Sequence, residues 1–178
     1  MTLYYALDLL IGFGAPLAVY ALWRRGSIDP RLWRMFWFGC FLGLFWEVPV
    51  FVLSKYGPVP FIAWERPLPA HYLVFLVAHT LWDGGLFVVG VWLVKLLCPA
   101  PALTRFRWDE LAVLVAWGQV SSVGVEVSSV WNDAWVYVAG HWWNPTLATL
   151  NGHPLTLWPQ IPWLVAPVVF YLVFVRRR

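Results

Sequence analysis

Apolar residues run along this chain in long stretches rather than in alternation, and five stretches reach or approach the roughly 20 residues that carry a helix across about 30 Å of hydrocarbon. They extend from about Leu3 to Trp23, Leu32 to Leu53, Ala70 to Leu97, Leu111 to Val130 and Leu157 to Val175. The pattern predicts an all-α fold: an integral membrane bundle of five transmembrane helices in a single domain over residues 1–178, without an internal repeat. The first run starts without basic residues and holds Asp8 inside it, so it reads as a helix of the mature protein and not as a signal peptide. The proline-rich pieces Gly57 to Pro69 and Pro99 to Pro101 read as loops. Residues 133–154, with Trp135, Tyr137, Trp142 and Trp143, read as an interfacial cap or lid at headgroup depth.

Composition agrees with that pattern. Hydrophobic residues make up 61% of the chain and charged ones 12%, which leaves too little polar material for a water-soluble surface. All twelve Lys and Arg lie at segment ends or in loops, so no basic face is available to nucleic acid. Arg24, Arg25, Arg31 and Arg34 fill the first loop, Lys95, Arg105 and Arg107 the third, and Arg176 to Arg178 the end. By the positive-inside rule the amino terminus lies outside and the carboxyl terminus in the cytoplasm, in a bacterial inner membrane or the endoplasmic reticulum; Lys55 and Arg66 in the second loop vote the other way. Cys40 and Cys98 show no ligand-like spacing, nor do His141 and His153, so no metal is indicated. No phosphate-binding glycine loop or nucleophile elbow is present, and no cofactor is implied.

The acids are placed differently from the bases. Asp8, Glu47, Asp83, Glu126 and Asp133 fall inside apolar runs or at their edges. An ionisable group at membrane depth costs at least a few kcal/mol unless it is paired, neutralised or wet, so five together point to function. In the fourth run Gln119, Ser122, Glu126, Ser129 and Asp133 follow at steps of three and four and form one polar stripe directed into the bundle. In the third, His79 and Asp83 are one turn apart and can hydrogen-bond on one face. In the second, Gly39, Gly43 and Glu47 recur every fourth residue, which reads first as a close helix contact of the small-xxx-small kind, within the monomer or between two copies. At 1.5 Å per residue, Glu47 lies roughly 20 Å above Arg34 and Asp83 about 18 Å above Lys95, so the polar groups converge on one layer with Trp46, Trp82, Trp131, Trp158 and Trp163.

A carboxyl in hydrocarbon with no Lys or Arg beside it favours its neutral form, and a neutral carboxylic acid is a proton donor. With a second group as acceptor it can move a proton on and off an oily substrate, while aromatic faces stabilise a cationic intermediate by about 2 kcal/mol or more when dry. That chemistry suits isomerisation or cyclisation of an alkene, and equally the binding of a lipophilic amine. Five helices without an inverted repeat make a poor alternating-access transporter.

Short motifs resemble the emopamil-binding or EXPERA-domain membrane family, which includes sterol isomerases and non-enzymatic sterol binders. The run Phe45-Trp46-Glu47-Val48-Pro49-Val50-Phe51 is similar to the family's helix bearing an essential Glu, Trp82-Asp83-Gly84-Gly85 sits where the family has Trp-Gly-Pro, and Trp117-Gly118-Gln119 is similar to its Gly-Gln. Gly152-His153-Pro154-Leu155-Thr156-Leu157-Trp158 resembles the family's Gly-His-Pro-Leu stretch before the last helix, with Gln160 and Trp163 in place of its active-site Asn and Trp. The family's His one turn before the second-segment Glu is replaced by Gly43, and its third-segment Glu falls at Phe75.

The expectation is therefore a pocket in the outer half of the bilayer. Its catalytic candidates are Glu47 or Asp83 as proton donor and His79 or Glu126 as acceptor, and its substrate-binding candidates are Trp46, Trp82, Gln119, Ser122, Gln160 and Trp163. The partner is a lipophilic small molecule or membrane lipid, and the activity is isomerisation or cyclisation of a sterol-like or isoprenoid lipid. The alternative is a non-catalytic lipid or sterol binder, or an assembly subunit of a larger membrane complex; homodimerisation through the glycine face stays open.

Overall fold

The computed structural model describes residues 2–175; Arg176 to Arg178, used above for orientation, lie outside them. Five helices dominate: α1 (Leu3–Arg24), α2 (Pro30–Tyr56), α3 (Tyr72–Leu97), α4 (Trp108–Trp131) and α5 (Gln160–Phe174). The first four are long and apolar enough to cross a membrane, and α5 is shorter, at 15 residues. Local chemistry sets the helix starts. Thr2 accepts from Tyr5 N at the head of α1, Asp29 accepts from Arg31 N at 2.6 Å with Pro30 next in line, and His71 Nδ1 accepts from Leu73 N at 3.3 Å ahead of α3. The first turn of α4 holds Asp109 and Glu110, which suit the positive end of the helix dipole.

Two features differ from the sequence expectation. The fold is not purely helical, because four short strands are present: β1 (Ile62–Trp64) pairs antiparallel with β2 (Trp135–Tyr137), and β3 (Thr146–Leu150) with β4 (His153–Thr156). Strand β2 is buried against the bundle, where backbone groups need partners and β1 supplies them, whereas β3 is exposed and pairs with β4 at the outside of the cap. The fifth helix is also shorter than the apolar run from 157. Leu157 N donates to Pro145 O at 3.1 Å and Trp158 N to Asn144 Oδ1 at 2.7 Å, so these residues belong to the cap and the helix begins at Gln160.

The strands and their loops close one end of the bundle, here the cap end; the arginine-rich loops lie at the other, the basic end. Ser54 Oγ accepts from Phe61 N and Ile62 N, and the Tyr5 hydroxyl donates to Ala134 O at 3.0 Å, so the cap is fastened to α2 and α1. Helix α3 packs against α1, α2 and α4, and α5 closes against α4. The α2–α3 contact runs through glycines: a Cβ at Gly39 would meet Gly84 Cα at 3.1 Å, and one at Gly84 would collide with Cys40 Sγ. The glycine face of α2 is thus spent within the chain. The basic half of the core is built from Phe87, Val94, Leu114, Phe170 and Tyr171, and the cap half from Tyr5, Val50, Phe51, Phe75 and Trp135.

Candidate functional site

Between the cap and the middle of the bundle lies a cavity of about 370 Å³. That volume is within the range of small-molecule sites. Its acids and its histidine come from three helices: Asp8 from α1, Glu47 from α2, and His79 and Asp83 from α3. The walls are aromatic, with Trp46, Phe51, Trp82, Trp135, Trp158 and Trp163 among them. Leu3, Leu7 and Ile11 of α1 and Ser128 of α4, together with Asn132 just beyond it, also line the cavity while remaining exposed, so it opens sideways between α1 and α4.

His79 is the centre of the polar lining. Its Nε2 lies 3.0 Å from Asp8 Oδ2 and its Nδ1 3.6 Å from Glu47 Oε2, so one imidazole bridges carboxyls of two other helices. The edge of its ring meets Phe51 at a centroid distance of 5.2 Å. Trp82 Nε1 donates to the Asp8 carbonyl at 2.9 Å, which holds α1 at the height where Asp8 reaches His79. The hydrogen bond expected between His79 and Asp83 is not made; one turn apart on the same helix, the two side chains are drawn to different neighbours.

Asp83 is 4% exposed, and its Oδ2 has no hydrogen-bond partner. It packs against Gly43, where an added Cβ would run into the carboxylate. The missing side chain at 43 is therefore the space that Asp83 occupies. Trp46 and Trp163 meet at 5.6 Å and Trp163 stacks on Phe87 at 5.4 Å, which gives the cavity a rigid aromatic floor.

The expected stripe on α4 divides. Ser122 lines the cavity, 3% exposed, and its Oγ has no hydrogen-bond partner. Glu126 is buried but serves the cap: its Oε1 accepts from Thr156 N at 2.7 Å and from Thr156 Oγ1 at 3.1 Å. Gln119 Nε2 donates to Gln160 O at 3.1 Å, the Gln160 side chain lies beside Glu126, and Ser129 Oγ donates to Trp135 O. Asp133 sits past the helix end, exposed, and pairs with Arg66 at 3.1 Å. Glu126, Gln119 and Gln160 are thus not among the residues lining the cavity.

Among the lining residues that were not site candidates from the sequence are Asp8, Tyr4 and Tyr137. Asp8 was visible as an acid in an apolar run, but spacing within α1 could not show that it meets His79. Tyr4 lies one turn before it, near Ser128 and Trp135. Tyr137 reaches the cavity from β2, where burial and the nearby Glu47 carboxylate push its phenol well above the ordinary tyrosine range. Among the described residues, no group of three or more His, Cys, Asp or Glu is placed to hold a metal ion. Compared with family models, with curated proteins and with solved structures, the chain has no match.

Proposed function

We propose that this protein is an intramembrane isomerase or cyclase of a sterol-like or isoprenoid lipid, acting by proton transfer between Glu47 and His79. The observation that carries this reading is the His79 bridge, with one ring nitrogen facing Asp8 and the other facing Glu47, inside an aromatic cavity open sideways between α1 and α4. Asp8 accepts from Nε2–H, which leaves Nδ1 as the basic nitrogen on the Glu47 side. In the reaction, the acid form of Glu47 gives its proton to one alkene carbon, and the π pair becomes the new C–H bond. Positive charge then sits on the neighbouring carbon, between aromatic faces and the Glu47 carboxylate. His79 Nδ1 takes a proton from an adjacent carbon, directly or after ring closure, and the C–H pair becomes the new double bond. The imidazolium returns a proton to Glu47 across the short gap between them, and between turnovers the pair exchanges its protons with water through the cavity mouth, so the cycle closes without consuming a reagent and carries solvent hydrogen into the product.

The same reading places five passes in the membrane, with the basic end in the cytoplasm. Helix α5 spans only about 22 Å, so the cap and residues 157–159 sit within the headgroup layer above it. The likeness to the emopamil-binding family supports a greasy ring-bearing ligand, and His79 on α3 stands beside Glu47 where that family draws its His from the Glu-bearing helix.

The test is to incubate the lipids that co-purify with the protein in D2O with wild type and with Glu47→Gln. The wild type is expected to place one deuterium on product carbon, and Glu47→Gln to lose that activity about a hundredfold or more. No labelled product from wild type would end the catalytic reading. The second reading, a lipid-binding protein without chemistry, draws on the local ties that hold Glu126 and Gln119 out of the cavity. It predicts co-purifying lipid and no label.

A further inference from the structure

We propose that Asp83 and Ser122 form a recognition subsite for a lipid hydroxyl in the deeper part of the cavity, distinct in duty from the Asp8, His79 and Glu47 cluster beside it. This inference rests on the reading above only in that the two share a cavity. Its starting point is the difference in partnering among the lining groups. Asp8 and His79 hydrogen-bond each other, and Glu47 faces His79. Asp83 Oδ2 and Ser122 Oγ, by contrast, are buried with no hydrogen-bond partner among the described residues, in side chains from two different helices that both line the cavity. A buried polar group left unpaired costs about 1–3 kcal/mol, so a cavity that keeps two of them is suited to a ligand that pairs with both.

The chemistry of that ligand follows from what the two groups need. A carboxyl oxygen at Asp83 accepts a hydrogen bond, and the Ser122 hydroxyl both donates and accepts. A ketone or ether oxygen only accepts, so it can take a hydrogen bond from Ser122 or from the acid form of Asp83 but leaves the acceptor oxygens of the pair without a hydrogen. A hydroxyl gives its hydrogen to Asp83 and accepts from Ser122, and it is small enough for the apolar floor formed by Trp46, Leu86 and Trp163. A charged headgroup carried to this depth would lose its hydration, with no Lys or Arg in the lining to offset the loss.

Depth turns this into a statement about the substrate. Counted from the cap ends of their helices at 1.5 Å per residue, Asp8 lies about 8 Å deep, His79 about 10 Å, Glu47 and Ser122 about 14 Å and Asp83 roughly 16 Å. A lipid alcohol entering sideways between α1 and α4 goes in hydroxyl first. Glu47 is level with Ser122 and His79 is only about 6 Å nearer the cap than Asp83, so the reacting double bond lies beside the hydroxyl, within a few carbons of it.

Binding measures this without any turnover. The protein in lipid nanodiscs is titrated with tritiated farnesol, with farnesyl methyl ether and with the hydrocarbon farnesene. Wild type is expected to bind farnesol about tenfold more tightly than the ether. Asp83→Ala and Ser122→Ala are each expected to remove that preference, with farnesene binding as the check that the pocket is intact. Equal affinity of wild type for alcohol and ether overturns the subsite, as does a preference that survives in a variant still binding farnesene. A wild type that prefers the alcohol but transfers no deuterium keeps the subsite and ends the catalytic reading. One that transfers deuterium but treats alcohol and ether alike does the reverse.

Discussion

The two ends of this bundle both bury carboxyls, and they use them in opposite ways. At the basic end Glu110 is 0% exposed: Oε1 accepts from Leu103 N at 3.1 Å, Oε2 accepts from the Tyr171 hydroxyl at 2.8 Å, and Arg107 lies 3.8 Å away. One side chain thus joins the α3–α4 loop, the start of α4 and the last turn of α5. Arg31, which donates to Leu103 O and Phe174 O, closes the same knot from α2. At the cap end the carboxyls surround a cavity, and Asp83 keeps an oxygen with no partner. A buried acid that satisfies the donors around it is structural. A buried acid facing a cavity with spare capacity is available to a ligand, at a cost in stability that the rest of the fold carries.

The sharpest way to break this comparison is to remove an acid from each end. Glu110→Ala strands the buried Leu103 amide, leaves the Tyr171 hydroxyl only its longer contacts to Arg105 O and Arg107 O, and opens a void, and is expected to cost about 3 kcal/mol. Asp83→Ala removes a carboxyl whose Oδ2 has no donor and leaves at most the Trp46 indole N–H beside it without its acceptor, and is expected to cost less than about 1 kcal/mol. Thermal unfolding of the two variants in one detergent measures the contrast, and similar losses from both would erase the distinction between the ends. Next in size is Gly43→Ala, whose new methyl meets the Asp83 carboxylate from the facing helix. Overpacking there is expected to cost about 2 kcal/mol. The double variant Gly43→Ala with Asp83→Ala is expected to recover most of it, since the clash needs both groups. A double variant as unstable as Gly43→Ala alone would mean that α2 and α3 do not meet at this pair.

How far the sequence reaches also differs between the two ends. The long helices are legible because each is an unbroken apolar run, and Glu47, His79 and Asp83 stand out because ionisable groups in such runs are rare. Spacing along one helix shows which residues share a face but not how that face is turned toward its neighbours. That is why His79 looked like a partner for Asp83 and proves to be one for Asp8 and Glu47. The α4 stripe misleads for a related reason: a row of polar side chains can line a cavity or hold a cap, and only Ser122 does the former. Glu110 gave no signal at all, since beside Asp109 in a first helical turn it reads as an ordinary solvated acid at a helix start. Cap strands of three to five residues are too short for an alternating pattern to register.

A smaller effect tests the assignment of Glu126 to the cap. Thr156→Val keeps the shape and the amide of residue 156 but deletes the hydroxyl that donates to Glu126 Oε1 at 3.1 Å. The expected loss is about 1 kcal/mol by thermal unfolding, with farnesene binding unchanged. A large loss of binding from this substitution would put Glu126 back at the cavity.

The smallest expected effect lies at the edge of the cap, where Arg66 and Asp133 form an ion pair at 3.1 Å with side chains 48% and 60% exposed. The contact joins the loop after β1 to the turn that ends α4, so by position alone it looks like a clasp over the cavity mouth. Its energetics say otherwise. Water screens both charges, and ordering two exposed side chains takes back most of the attraction, so Asp133→Asn is expected to change stability by less than about 0.5 kcal/mol. The clasp proper is the hydrogen bond from the buried Tyr5 hydroxyl to Ala134 O at 3.0 Å, one residue away, which does not depend on salt. Tyr5→Phe is therefore expected to cost more than Asp133→Asn in the same unfolding measurement, and raising the salt concentration is expected to leave the wild type almost unmoved. If Asp133→Asn proved the costlier of the two, the cap would be held by its surface charges, and its closure over the cavity would vary with ionic strength.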